Sequence, residues 1–142
     1  MGLHISAMNE AMMRDSDLII ANMTPFRGLS TDVGTAYEIG FMCALGRAAF
    51  AYSNEPRGYT ERARGDFYAG KVAIAGDGML RAADGQMVED HGMADNLMLD
   101  GGIILRKGMV VRPESGQRLA DDDLSVFEQC LAAARRHFDS EA

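Results

Sequence analysis

The stretch Asp17 to Arg47, DLIIANMTPFRGLSTDVGTAYEIGFMCALGR, decides the fold. Residues 17–23 form a short, nearly continuous apolar run, which is typical of a strand covered on both faces of a parallel sheet. A loop containing Pro, Arg, Gly and Ser follows, and residues 33–45 have a helix-forming composition without proline. Because ligands bind beyond the carboxyl ends of such strands, we expect a functional site at this loop.

Polar and small residues mark the start of the predicted helix. Ser30 and Asp32 are candidate N-caps, and Glu38 falls in the second helical turn between apolar neighbours. Gly34 and Gly40 each lower helix propensity by about 1 kcal/mol relative to alanine. We therefore expect a neighbouring strand or a ligand to approach the backbone at these glycines.

Composition limits the classes of function. The chain has 142 residues, of which 47% are hydrophobic, so we expect residues 1–142 to form a single globular domain. A net charge of -7, with 14 Lys and Arg that do not cluster, makes nucleic acid and anionic membranes poor partners. The sequence shows no apolar run near the roughly 18 residues of a membrane span and no signal peptide, so we expect a cytoplasmic protein.

Cysteine and histidine positions give no indication of a metal site. Cys43 and Cys130 lie far apart within apolar, helix-like patterns, which predicts two buried free thiols. His91 has no second His or Cys at metal-ligand spacing, so we expect it to be solvated or structural. These positions therefore predict no metal site.

The segments flanking the central unit continue an alternation of helices and strands. Residues 3–15 predict a helix with Ile5, Met8 and Met12 on one apolar face. Short strands are then predicted at residues 48–52 and 71–75. Between them, residues 62–70 are predicted to form a charged segment that is helical or irregular.

The C-terminal part predicts a hairpin and a closing helix. Residues 97–99 open a buried helix or strand, and residues 102–111 predict a β-hairpin with its turn at Lys107-Gly108. The acidic run 121–123 is expected to cap the closing helix rather than bind a metal. The expected apolar face of that helix is Leu124, Phe127, Leu131 and Ala134.

Two motifs resemble those of the nucleoside 2-deoxyribosyltransferase family. The first consists of Ala21-Asn22, then Thr24-Pro25-Phe26-Arg27-Gly28, then Asp32-x-Gly34-Thr35-Ala36-x-Glu38-x-Gly40-Phe41, and the second is Asp95-Asn96-Leu97-Met98-Leu99. Two motifs in the right order and at about the right separation are more specific than either alone. The resemblance covers residues 8–105.

The resemblance implies a flavodoxin-like or Rossmann-like α/β fold. We therefore expect a three-layer domain with a mainly parallel sheet. The sequence begins with the predicted helix, whereas this family usually has a first β-α unit that carries the pocket stacking the nucleobase. Either this sequence starts downstream of this unit, or the domain lacks it.

The resemblance also implies roles for acidic residues around the first motif. Glu38 would be the nucleophile that attacks C1′ of the sugar, giving a covalent intermediate and two successive displacements. Asp32 would help to position and protonate the departing base. Asn9 falls where the family has an acidic or amide residue that faces the ligand.

Further substrate-binding candidates follow from the same resemblance. Asn96 would reach into a neighbouring subunit to hold the sugar 5′-hydroxyl, which implies a homo-oligomer with shared sites. Gly34 and Arg27 are additional candidates near the substrate. The related nucleoside 5′-monophosphate N-glycosidases have serine where this chain has Asp32, so an aspartate favours a nucleoside over a nucleotide.

The resemblance implies exchange of the base of a 2′-deoxyribonucleoside for a free nucleobase, with no metal and no other cofactor. A first alternative is an N-glycosidase that hydrolyses nucleosides or nucleoside 5′-monophosphates. A second alternative is a non-catalytic nucleoside-binding or structural oligomer.

Overall fold

The computed structural model describes residues 1–114 and 116–139. Its helices are α1 (Gly2–Arg14), α2 (Val33–Ala44), α3 (Tyr59–Arg62), α4 (Leu97–Ile104) and α5 (Ser125–Asp139). Its strands are β1 (Leu18–Asn22), β2 (Ala48–Tyr52), β3 (Val72–Ile74), β4 (Leu80–Ala82) and β5 (Val110–Val111). Within these described ranges, no helix is long and apolar enough to cross a membrane.

A parallel sheet of three strands lies at the centre, in the order β1-β2-β5. Leu18 is paired with Ala48, and Ala51 is paired with Val110. The strand-loop-helix unit predicted at residues 17–45 is thus confirmed, and so is the α/β class with a parallel sheet.

Helices cover both faces of this sheet. On one face, Ala49 and Ala51 of β2 pack in a cluster with Ile39 and Cys43 of α2 and Ile103 of α4. On the other face, Phe50 packs against small residues of α5, namely Cys130, Ala133 and Ala134. The alternation of side chains along β2 therefore separates two cores, as expected for a strand buried on both faces.

Both cysteines are buried free thiols, as the sequence predicted. Cys130 is fully buried and donates to the carbonyl oxygen of Ala51 at 3.4 Å. Burial raises the pKa of the Cys130 thiol to about 11 and also raises the pKa of Cys43. These thiols fill space in the two cores rather than acting as nucleophiles.

The predicted hairpin at residues 102–111 is wrong. The first part of this segment belongs to helix α4, and Val110–Val111 pairs in parallel with β2. Lys107-Gly108 does form a turn, but the turn joins a helix to a strand. A Cβ atom on Gly108 would clash with the carbonyl oxygen of Ala49, so only glycine fits this close approach to β2. A short apolar run does not distinguish a buried helix from a strand.

Two predicted apolar faces also differ from the structure. In α1, Ile5, Met8 and Met12 are exposed, and Met13 is the buried residue. Leu124, just before α5, and Leu131 are about half exposed. The buried face of α5 consists of Val126, Cys130, Ala133 and Ala134, of which Ala134 was predicted. Small side chains allow α5 to pack closely on the sheet, which the spacing of its larger residues did not reveal.

An antiparallel hairpin of β3 and β4 projects from the middle of the chain. The strand predicted at residues 71–75 is confirmed as β3, and its partner β4 was not predicted. In the segment 62–70, the helical part ends with a π-helical turn at Ala63–Phe67, and residues 68–70 form a bend and a turn. Two hydrogen bonds close the base of the hairpin segment: the Thr60 hydroxyl donates to the carbonyl of Glu89 at 2.8 Å, and the Tyr59 N–H donates to the carbonyl of Met93 at 3.0 Å.

Candidate active site

Asp32 is the N-cap of α2, at the carboxyl edge of the sheet. Its Oδ2 accepts a hydrogen bond from the N–H of Gly34 at 3.0 Å. A Cβ atom on Gly34 would lie 3.0 Å from the same oxygen, which is tighter than an ordinary contact. The glycine thus leaves room for the capping carboxylate, and the feature that approaches its backbone is Asp32 itself. A Cβ on Gly40 would meet nothing within 4 Å among the described residues.

Glu38 lies half-buried in α2 and faces a small cavity between α1, β1 and α2. The cavity has a volume of about 210 Å³ and is lined by Asn9, Met12, Met13, Ser16, Leu18, Ile19, Glu38 and Met42. Among the described residues, the Glu38 carboxylate makes no hydrogen bond or ion pair. The cavity therefore joins two of the predicted site residues, Asn9 and Glu38, and leaves the carboxylate available.

Helices α1 and α2 are fixed to each other beside this cavity. The Tyr37 hydroxyl of α2 donates to Glu10 Oε1 of α1 at 2.6 Å, and Arg14 donates to Glu10 Oε2 at 3.1 Å. The hydrogen bond raises the pKa of Tyr37 and lowers the pKa of Glu10. Glu10 follows Asn9 and Tyr37 precedes Glu38, so this contact sets the relative position of the two residues that share the cavity.

Asp32 and Glu38 do not touch each other. Glu38 follows Asp32 by six residues, and an α-helix rises about 1.5 Å per residue, so about 9 Å separates them along the axis. Asp32 does not line the cavity that holds Glu38. This spacing leaves room for a ligand that contacts both carboxylates.

Asn96 is the N-cap of α4, with a geometry close to that of Asp32. Its Oδ1 accepts from the N–H of Met98 at 3.0 Å, and its Nδ2 donates to Glu89 Oε1 at 2.9 Å. Glu89 Oε2 also accepts from the N–H of Leu97 at 3.2 Å. One N–H and one oxygen lone pair of the Asn96 amide remain for another partner.

A buried ion pair brings the two motifs together. Asp95 Oδ2 accepts from the N–H of Thr31 at 2.8 Å and from Arg62 Nη2 at 3.2 Å. The side chains of Arg62 and Asp95 are only 4% and 1% exposed. Asp100 lies beside them, and its carboxylate accepts from the N–H groups of Ala94 and Asp95. The loop before Asp32 and the turn before Asn96 are thus joined within one chain.

Burial affects the charged groups of this cluster in opposite ways. Burial lowers the pKa of Arg62, while the charge of Asp95 opposes this effect. Burial raises the pKa of Asp100, and its two backbone hydrogen bonds partly compensate. Sequence reasoning missed the ion pair of Arg62 with Asp95, because the two residues lie 33 positions apart in sequence. It also missed Glu89, which lies only seven residues before Asn96 but outside any predicted helix or strand. The second motif offered the only signal, since Asp95 stands directly before Asn96.

The remaining candidates lie apart from these contacts. Arg27 is exposed and stacks over Phe26, with its guanidinium carbon 5.0 Å from the ring centroid. His91 is exposed and lines a cavity of about 450 Å³ beneath the β3–β4 hairpin, which contains neither Asp32 nor Glu38. Within residues 1–114 and 116–139, no group of three or more His, Cys, Asp and Glu side chains could hold a metal ion.

Comparison with known proteins gives concordant results. The sequence pattern of the family described as nucleoside 2-deoxyribosyltransferase matches residues 2–98. An uncharacterised protein of Schizosaccharomyces pombe is 31% identical over 116 residues, covering 76% of this chain but 55% of that protein, so the chain spans little more than half of this relative.

A solved structure, a 2-desoxiribosyltransferase from Leishmania mexicana, has a similar fold. It superposes with a TM-score of 0.58 at 29% identity, over 95% of this chain and 68% of that one. The family match covers more than half of the chain and includes Asp32, Glu38 and Asn96. This chain belongs to the nucleoside 2-deoxyribosyltransferase family.

Proposed function

We propose that this protein exchanges the nucleobase of 2′-deoxyribonucleosides by means of a covalent deoxyribosyl intermediate on Glu38. The observation that carries the proposal is the Glu38 carboxylate, which has no partner among the described residues and faces a cavity with Asn9. A half-buried carboxylate without a cationic partner is able to attack an electrophilic carbon as a nucleophile. Family membership supports the choice of a deoxyribosyl C1′ as that carbon.

The reaction proceeds in two displacements. A Glu38 oxygen attacks C1′, the C1′–N bond breaks, and its electron pair leaves with the base, which takes a proton from Asp32. A nitrogen of the incoming base then attacks C1′ from the vacated side. The ester bond to Glu38 breaks, and the proton of the incoming base returns to Asp32. Two inversions retain the β-configuration, as in retaining glycosidases.

The other candidates bind the substrate in this proposal. Asn9 faces the ligand from α1, and Gly34 keeps Asp32 in its capping position. Asn96 uses its remaining hydrogen-bonding capacity to hold the sugar 5′-hydroxyl in the site of a neighbouring subunit, so the active form is a homo-oligomer. Arg27, exposed on the loop after β1, contacts substrate at the edge of the site.

Product analysis tests this proposal. We expect the purified chain, incubated with deoxyinosine or thymidine, to give a new deoxynucleoside only when adenine is added. Glu38→Gln keeps the size of the side chain but removes the nucleophile, so transfer should fall by at least about 1,000-fold. Intact-mass analysis without an acceptor should detect one deoxyribosyl unit on the wild type and none on Glu38→Gln.

The same experiment separates the alternatives. Free deoxyribose released equally with and without adenine would replace the transferase with a hydrolase. Ligand binding without turnover would indicate a non-catalytic nucleoside-binding protein, and full activity in Glu38→Gln would exclude Glu38 as the nucleophile.

A further inference from the structure

We propose that Asp95 is a positioning residue that sets the starts of both helices bearing candidate site residues, α2 with Asp32 and α4 with Asn96. This inference rests on the proposed function for its kinetic consequences. Its structural basis is the set of hydrogen bonds made by one buried carboxylate.

The two oxygens of Asp95 accept hydrogen bonds at the starts of two different helices. Oδ2 accepts from the N–H of Thr31, the residue directly before Asp32, at 2.8 Å. Oδ1 accepts from the N–H of Asn96, the N-cap of α4, at 2.8 Å. One planar group of fixed size therefore determines how far apart the two capping turns lie.

The loop before α2 is held from a second side as well. Arg62 donates from Nε to the carbonyl of Leu29 at 3.0 Å while its Nη2 contacts Asp95. The Thr31 hydroxyl donates to the carbonyl of Met23 at the end of β1, at 3.0 Å. These contacts restrict the backbone at Thr31. Because Arg62 contacts both Leu29 and Asp95, a change at Asp95 also alters this second support and is transmitted to the Asp32 cap.

Asp95 itself is excluded from the chemistry by its position. The residue is 2% exposed, and the cavity that holds Glu38 does not include it. Among the described residues, its carboxylate accepts hydrogen bonds from backbone N–H groups and from Arg62. It acts on the site through the backbone, which is why it is a positioning residue rather than a catalytic one.

The first test is Asp95→Asn in the full chain. Asparagine keeps the shape of the side chain but has one acceptor oxygen, so it cannot satisfy the N–H groups of both Thr31 and Asn96. We expect kcat for base transfer to fall by about 10- to 100-fold, with KM changed by less than about threefold, because a small misplacement of reacting groups affects turnover most. Phe50→Leu, on the α5 face of the sheet, is the control that lowers stability while leaving kcat within about twofold.

A double-mutant cycle distinguishes positioning from general destabilisation. Asn96→Ala and Asp95→Asn are measured singly and together. If Asp95 acts by placing Asn96 and Asp32, the combined loss in kcat should be clearly smaller than the product of the single losses. A folded Asp95→Asn with wild-type kcat, or losses that simply multiply, would overturn the proposal.

Amide hydrogen exchange on the unaltered protein provides an independent measurement. Thr31 and Asn96 lie outside regular helix hydrogen bonding, yet we expect both amides to be protected to the level of the global unfolding reaction. Exchange of either amide at the rate of an open loop would refute the role of Asp95, even if Asp95→Asn did not fold. Absence of turnover in the wild type would refute the proposed function instead and leave this measurement valid.

Discussion

The two edges of the parallel sheet hold their charges in different ways. At the carboxyl edge, Arg62 and Asp95 form an ion pair at 3.2 Å that is almost completely buried. At the amino edge, Arg47 and Asp17 approach to 3.8 Å, with side chains 42% and 86% exposed. A buried charge loses its hydration and must be compensated by a full set of partners, whereas an exposed pair is worth little. The difference indicates that the carboxyl edge is built to fix the positions of its loops.

The largest effect is expected from removing the cation at the carboxyl edge. Arg62→Met leaves Asp95 buried without its partner, so we expect the free energy of unfolding to fall by about 3–5 kcal/mol. Arg62→Lys keeps the charge but loses hydrogen bonds to the carbonyls of Leu29 and Arg57. Its free energy of unfolding should therefore lie between those of the wild type and Arg62→Met. Urea titration measures both variants. A loss below about 1 kcal/mol for Arg62→Met would remove the distinction between the two edges.

A smaller effect with a defined pH dependence is expected at Glu55. Arg57 donates to both Glu55 oxygens at 2.9 Å and lowers the pKa of this carboxyl. A carboxyl whose pKa is lowered in the folded state stabilises the protein at pH values above its ordinary pKa. This contribution is lost as the pH falls through the lowered pKa of the folded state. Glu55→Gln should therefore lower the free energy of unfolding by only about 1 kcal/mol at pH 7, because 43% of the Arg57 side chain is exposed. At pH 3 the loss should be smaller, because the pH has fallen toward the pKa of the carboxyl in the folded state.

The control for Glu55 is an exposed pair. Asp77→Asn removes the partner of Arg81. The Asp77 side chain is 47% exposed, against 6% for Glu55, so this variant should give a weaker pH dependence. Equal loss of stability in Glu55→Gln at pH 7 and pH 3 would contradict the assignment to the ion pair.

The smallest effect is expected at the amino edge. Asp17→Asn removes the carboxylate that faces Arg47, and we expect the free energy of unfolding to change by less than about 0.5 kcal/mol. The cost of Asp17→Asn should become smaller still in 0.5 M NaCl, since salt screens exposed charges. A loss above about 1 kcal/mol would show that this edge also depends on its charges.

The central unit of the fold was predictable because its signals are local. The apolar run of β1 and the capping Asp32 each depend on neighbours in sequence, and so does the placement of Glu38 in the second turn of α2. Segment 102–111 failed because a short run of Ile, Leu, Met and Val fits a buried helix as well as a strand. The prediction that Ile5, Met8 and Met12 form a buried face of α1 was wrong, because periodicity shows which residues share a face but not whether anything covers that face.

The candidate site was predictable only in its individual residues. The motifs identified Asp32, Glu38 and Asn96. The structure confirms Asp32 as a helix N-cap and shows that Asn96 is one as well, which was not predicted. The contact that joins the motifs, Thr31 to Asp95, connects residues 64 apart in sequence. No local pattern encodes such a contact, because it depends on how β1, β2 and α4 pack in three dimensions.

The closed base of the β3–β4 hairpin has a consequence for how the chain tolerates insertions and deletions. The bonds from Thr60 to Glu89 and from Tyr59 to Met93 fix both ends of the segment between them. The entropy of closing a loop grows slowly with its length, at about 0.6 kcal/mol for each doubling. Residues can thus be added or removed at the hairpin tip at little cost in stability, while Glu89 continues to hold Asn96 in place. We therefore expect the length of the chain to differ among homologues at the tip of this hairpin.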